Sequence, residues 1–214
     1  MAIITYTNEP HGFGFTYDDA DLDRVDDRSD PRFSAARFDR LGRTAAAAVL
    51  FTVRGASAEQ VAAGTALSAL ITTDDVPRRD LGGWDWNAVT RREGVRFLER
   101  TGTPHVVATQ TYWRGYPVLG LSTSPSSGEP RPGGLETLGV LFTPQQTFES
   151  LMVFPLERDD ETWPELGQAL MDGFFLVPIE REGRQRLSHQ YVGQTDIYRE
   201  GEATEVVPMQ REGD

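Results

Sequence analysis

The chain has 214 residues, 38% of them hydrophobic, which is enough for one substantial core with trimmings and too little for two equal domains. Its 33 acidic and 21 basic residues give a formal net charge of −12, a field that repels phosphate backbones and anionic headgroups, so neither nucleic acid nor a membrane is an expected partner. All 21 basic residues are Arg and Cys is absent. That removes Walker phosphate loops, Schiff-base amines, disulfides, thiolate zinc sites and thiol nucleophiles.

Ile3, Ile4 and Tyr6 begin a strand, Asn8-Glu9-Pro10 breaks it, and Phe13, Phe15 and Tyr17 recur at period two, so the chain is expected to open with a hairpin. Residues 18–30 pack seven Asp into thirteen positions and, with the polar run from Pro31 to Arg43, read as an irregular surface loop with a helical turn. Phe33, Phe38 and Leu41 are its possible anchors. Ala45 to Val53 is continuously apolar, as a buried central strand is, and Gly55 ends it. Ser57 and Gln60 have capping-box spacing for a short helix ahead of a second apolar run, Leu67 to Ile71.

Asn87 is the expected N-cap of a helix to Arg100, with Ala88, Val95 and Leu98 inward and Arg91, Arg92, Glu93 and Glu99 toward water. Val106 to Trp113 and Tyr116 to Ser122 form a hairpin about Arg114-Gly115. A Ser/Pro/Gly loop, 124–134, leads to a second hairpin, Leu138 to Phe142 and Phe148 to Phe154. Thr162 and Glu165 make a capping box for a helix whose Trp163, Leu166, Leu170 and Phe174 face inward, and Gly173 stops it. Residues 175–177 return to the core, after which residues 179–214 are polar and read as a C-terminal arm or tail. The division expected is therefore a domain over 1–178, with the Asp-rich insert at 18–30, followed by that arm.

This series resembles the Mog1/PsbP-like group, which includes the PsbP proteins of photosystem II, the Mog1 nuclear-import factors, LpqN-type lipoproteins and Eag-type chaperones. The residues that carry the resemblance are His11-Gly12-Phe13-Gly14-Phe15-Thr16-Tyr17, Arg114-Gly115-Tyr116-Pro117, Trp163-Pro164-Glu165-Leu166 and Gly173-Phe174-Phe175-Leu176-Val177. They are turn and packing signatures spread over residues 3 to 177. The resemblance implies an α+β fold, an antiparallel β-sheet flanked by helices as an α/β/α sandwich, with no catalytic machinery as a rule. The Asp-rich insert and the polar C-terminus depart from the common pattern, and the signal sequences of the group's secreted members are lacking here.

Asp19, Asp21 and Asp23 alternate as in a calcium loop, with Asp27 and Asp30 at its ninth and twelfth positions. Against that reading, the sixth position is Arg24 where the loop needs Gly, and a solvated acidic loop is the plainer alternative. Trp84 and Trp86 follow two glycines, and Tyr112, Trp113 and Tyr116 surround a turn, so these aromatics are candidates for protein binding, the alternative being that they cap the core. His11, His105 and His189 show no ligand spacing. Gly120-Leu121-Ser122-Thr123-Ser124 approaches a nucleophile elbow but lacks the closing Gly and the following helix. No segment has the roughly 20 consecutive apolar residues of a membrane span.

The expectation is a cytoplasmic, non-enzymatic interaction protein without a cofactor: an assembly factor, chaperone or structural subunit, with a protein partner or homo-oligomer. The competing expectation is a small-molecule or metal-binding enzyme with a pocket between sheet and helices, marked by two or more titratable groups lining that pocket.

Overall fold

The computed structural model describes residues 2–36, 45–74, 85–101, 106–123, 134–155, 162–181, 184–186 and 206–207. In chain order these form β1 (Ile3–Asn8), β2 (Phe13–Asp18), β3 (Leu22–Val25), α1 (Pro31–Ala35), β4 (Ala47–Val53), α2 (Ala58–Ala63), β5 (Ser68–Thr73), α3 (Trp86–Thr101), β6 (Val106–Trp113), β7 (Tyr116–Thr123), β8 (Leu135–Phe142), β9 (Thr147–Phe154), α4 (Thr162–Asp172), β10 (Phe174–Leu176), β11 (Ile179–Arg181), β12 (Arg184–Arg186) and β13 (Val206–Val207). Every strand pairing is antiparallel. Eight strands make one sheet in the order β13-β6-β7-β8-β9-β5-β4-β3, β1-β2-β10 make a second, and β11 pairs with β12.

The unbroken apolar run of β4 follows from cover on both sides of the large sheet. Alternate side chains point to opposite faces, so Ala48 and Leu50 join α1, α2 and α3 in one core, while Ala47, Val49 and Phe51 join β2, β10 and α4 in the other. The second core is aromatic: Phe15 lies 5.0 Å from Phe51, Phe13 5.8 Å from Phe148, and Phe174 5.2 and 5.4 Å from Phe15 and Phe148, centroid to centroid. The sandwich expected from the resemblance is present, and its second face is covered by the three-stranded sheet as well as by a helix.

Two glycines let these layers close. Gly12 adopts φ +67°, and a Cβ there would run into the Ile179 side chain and the Val177 carbonyl, whose own N–H donates to the Gly12 carbonyl at 2.8 Å. At Gly173 a Cβ would strike the Thr16 carbonyl, and the Thr16 N–H donates to the Gly173 carbonyl at 2.9 Å. The His11-Gly12-Phe13-Gly14-Phe15 pattern is thus a packing signature that joins β2 to β10.

Three expectations are corrected. Within the Asp-rich stretch, Leu22 and Val25 are buried and carry β3 into the edge of the large sheet against β4, so the segment is not irregular throughout. Helix α3 is turned from the expected face: Val89, Thr90, Glu93 and Phe97 are buried, whereas Val95 is 44% exposed and Ala88 is exposed. Its N-terminus is capped by Asp85, which accepts from the N–H groups of Asn87 and Ala88 at 3.0 and 3.2 Å, so Asn87 is not the cap. The Ser57 and Gln60 capping box on α2 forms as read, and Asp30 caps α1, whose Phe33 is buried. Phe38, Leu41, Trp84, His105, His189 and residues 124–133 lie outside the described residues.

Alanine substitutions at two glycines are expected to act with opposite signs. Gly173→Ala, forced against backbone, should destabilise by about 3 kcal/mol. At Gly139 the nearest atom to a new Cβ is Ser150 Cβ at 3.9 Å, so Gly139→Ala should stabilise by about 0.5 to 1 kcal/mol. Urea unfolding of both variants checks the pair.

Candidate protein-binding surface

The β6–β7 hairpin turns on Arg114 at φ 49° and Gly115 at φ 82°, two successive left-handed residues whose twist suits a two-residue antiparallel turn. Trp113 faces Tyr116 across it. Alternation along β6 then separates neighbours. Trp113 is 7% exposed, 5.4 Å from Phe174 in the aromatic core, with the Arg114 guanidinium 4.7 Å over its ring. Tyr112 points to the opposite face and is 53% exposed, meeting the Trp86 ring edge-on at 5.8 Å. Trp86 opens α3, which is tied to β6 by Gln110 Nε2 donating to Thr90 Oγ1 at 3.0 Å.

The aromatic candidates therefore divide. Tyr112 is exposed beside a Trp86 that is half-buried against the helix-side core, Trp113 is in the aromatic core, Tyr116 packs half-buried against that same core, and Trp84 falls outside the described residues.

The acidic candidates divide as well. Asp19 and Asp23 line one open hollow with Tyr17, Leu22, Arg24 and Arg54, where two guanidiniums balance two carboxylates. Asp19 also accepts from the Ala2 N–H at 3.0 Å, Asp23 from the Gly55 N–H at 2.8 Å, and the Arg54 side chain donates to the Asp19 carbonyl. Asp21 is exposed, and its carbonyl accepts from the Arg54 N–H. Asp27 accepts from Ser29, whose hydroxyl holds the Asp27 carboxyl below the usual carboxylate range. Asp30 is lowered by the Arg32 side chain and then by the Arg32 N–H. Among the described residues no three His, Asp or Glu side chains gather as a metal would require, so the calcium-like spacing is not realised as a ligand set. His11 ends a short 3-10 turn, and its carbonyl accepts from Gln146 Nε2 at 2.7 Å.

Sequence reasoning missed a charged group inside the molecule. Glu93 on α3 is fully buried, accepting from Arg96 Nη1 at 2.6 Å and from Arg92 Nε at 2.9 Å, while Arg96 Nη1 lies 3.5 Å from the buried Glu149 on β9. The signal was the i, i+4 stripe Val89, Glu93, Phe97, which places a carboxylate midway along the apolar face.

Between β7, β8, β9 and the α4–β10 corner lies an apolar cavity of about 90 Å³, walled by Phe15, Trp113, Leu141, Phe148, Met171 and Phe174 among others. That is well under the roughly 300 Å³ at which pockets for drug-sized ligands begin. Glu149 adjoins this cavity but alternates with Phe148 and Ser150 along β9, so its carboxylate turns to the other face of the sheet, toward Arg96. No acid–base pair faces this space among the described residues. Nor is any described helix long and apolar enough to cross a membrane.

No family model matches the chain, and no curated protein matches it. Among solved structures it is similar to the solution structure of cyanobacterial PsbP (CyanoP) from Synechocystis sp. PCC 6803, with a TM-score of 0.53 over 82% of this chain and 92% of that chain. The chain has a PsbP-like fold. At 11% identity the likeness is one of architecture alone.

Truncating neighbours on β6 should have unequal costs. Trp113→Ala is expected to destabilise by about 3 to 5 kcal/mol, and Tyr112→Ala by less than about 1 kcal/mol, in denaturant titrations. Glu93→Ala, which takes the nearer carboxylate from the largely buried Arg96, should cost about 2 to 3 kcal/mol, measured in the same way.

Proposed function

We propose that this chain is a non-enzymatic protein-interaction module, an assembly factor, chaperone or structural subunit of a larger complex. The observation that carries the proposal is the Trp86–Tyr112 pair, in which the half-buried Trp86 ring at the start of α3 meets edge-on the Tyr112 ring near the turn of the β6–β7 hairpin, with Tyr112 half in water. Aromatic anchors on rigid backbone lose little side-chain entropy on binding and dominate interface energetics. The PsbP-like fold supports the same reading at the coarse level of an accessory role. The competing reading, an enzyme with a pocket between sheet and helices, calls for two titratable groups in that pocket, and among the described residues no titratable side chain faces it.

The test is affinity recovery from the native host with the full chain as bait, set against a Trp86→Ala/Tyr112→Ala bait whose folding is checked by circular dichroism. The expected outcome is a stoichiometric partner with the natural chain and recovery reduced about tenfold or more with the variant. Equal recovery by both baits would remove the aromatic pair from the interface. Absence of any partner for the natural chain would count against the module itself.

A further inference from the structure

Strand β1 ends the three-stranded sheet. It pairs with β2 along all six of its residues, and among the described residues no strand lies on its other side. In an antiparallel ladder every second N–H and C=O of such a strand points outward, a ready template for another chain. Natural proteins usually blunt that template with charge, proline, a bulge or brevity. The edge of the large sheet is blunted in this way: β3 has only four residues, with Asp23 and Arg24 at its centre. β1 is not. Its sequence, Ile3-Ile4-Thr5-Tyr6-Thr7-Asn8, contains four β-branched residues and no charge, proline or glycine, and Ile3 is 67% exposed.

The strand is also well backed. Tyr6 packs on Phe13 at 6.2 Å and lies under the Arg24 guanidinium at 4.4 Å, while Asn8 Nδ2 donates to the Tyr6 hydroxyl at 3.2 Å. At its start the Asp19 N–H donates to the Ala2 carbonyl at 3.1 Å, and the Ala2 N–H returns a bond to the Asp19 carboxylate. A chain adding to β1 would meet an edge already held straight, so the ordering cost falls on the incoming segment alone.

The surrounding charge says which segment fits. The first thirty residues carry eight acids and two arginines, and counting Arg32 and Arg54, which reach Asp30 and Asp19, this region is still net −4. Glu9 directly follows β1 at one end, and Asp18 pairs with Ile3 at the other, so the uncharged edge is bracketed by carboxylates. A second copy pairing antiparallel would bring Glu9 of one chain toward the Asp19 carboxylate at the Ala2 end of the other, a like-charge meeting that opposes self-association.

We propose that the outer edge of β1 is a strand-addition site for an extended segment of a partner protein, apolar or β-branched at its centre and basic at its ends. The main-chain ladder supplies affinity, and the acids at each end select and orient the segment. This goes beyond the aromatic surface: β1 lies over the β3 end of the large sheet, away from β6, so the two surfaces can fail separately.

The test uses the full chain with two synthetic peptides, Arg-Arg-Val-Thr-Val-Thr-Val-Arg-Arg and its counterpart with Glu in place of every Arg, followed by amide exchange and chemical shifts. The Arg-ended peptide is expected to slow exchange of the outward amides of β1 by about tenfold or more, with binding that weakens as salt rises. A Thr5→Lys/Thr7→Lys variant should lose that protection while β2 amides keep theirs. The proposal is overturned if the Arg-ended peptide leaves β1 amides unchanged, if the Glu-ended peptide binds as well, or if the Lys variant binds undiminished. Protection of β1 together with a dimeric mass in the absence of peptide would also overturn it, because the edge would then belong to a second copy.

Discussion

The strands at the centre of the large sheet serve two interiors at once, and most of the architecture follows from that constraint. In β4 and β5 no face is left for solvent, so the usual alternation of apolar and polar residues gives way to continuous apolar runs such as Ala47 to Phe51. The two interiors differ in kind. Toward α1, α2 and α3 the sheet presents mainly aliphatic side chains, Leu50, Leu70, Leu119, Leu121 and Leu151. Toward β2 and β10 it meets phenylalanines, whose edge-to-face contacts add to the roughly 2 to 3 kcal/mol of burying each ring. The aromatic side closes because Gly12 and Gly173 bring backbone where a side chain would stand.

The helix side has a different difficulty, since α3 offers few large apolar groups and presents Val89 and Phe97 as its main anchors. The Glu93, Arg96 and Glu149 cluster fills the gap between them. Buried ion groups of this kind add little net stability compared with well-packed apolar residues, but breaking one partner leaves an uncompensated charge. Their effect on the structure is therefore selective. Any rotation of α3 that put Val95 inward would strip Glu93 of its guanidiniums or leave Glu149 facing apolar surface, so the ion cluster determines which side of the helix docks.

That cluster also explains where the sequence could and could not be read. Periodicity and turn chemistry located both hairpins, the Arg114-Gly115 reversal, the α2 capping box and the α4 helix, because those signals are local and apolar. The face of α3 was misread on the rule that charged residues face water, which fails when charges pair inside. β3 was hidden for the related reason that two buried residues, Leu22 and Val25, sit in a stretch dominated by aspartate, and only pairing with β4 reveals it as strand. The aromatics read as two groups near loops, yet Tyr112 and Trp113, adjacent on a strand, must point to opposite faces, and position in the sequence does not say which face is covered.

What remains outside these two interiors is unevenly charged, and the unevenness runs along the large sheet. The β3 end carries the acid-rich first thirty residues, whereas α3, packed over β6 and β7 near the other end, carries Arg91, Arg92, Arg96 and Arg100 against Asp85, Glu93 and Glu99. Among the described residues α3 and the adjoining Arg114 turn thus carry more arginines than acids, while the β1 end is net negative. Screening over about 8 Å at physiological salt keeps these fields local, so each end meets its own surroundings and not the average of −12. A single overall charge therefore does not describe every part of the surface: the β1 end is acid-rich, whereas arginines of α3 and the β6–β7 turn lie at the end that carries the exposed Tyr112 ring. The two buried cores hold both ends of the sheet in place, and that keeps these differently charged surfaces apart.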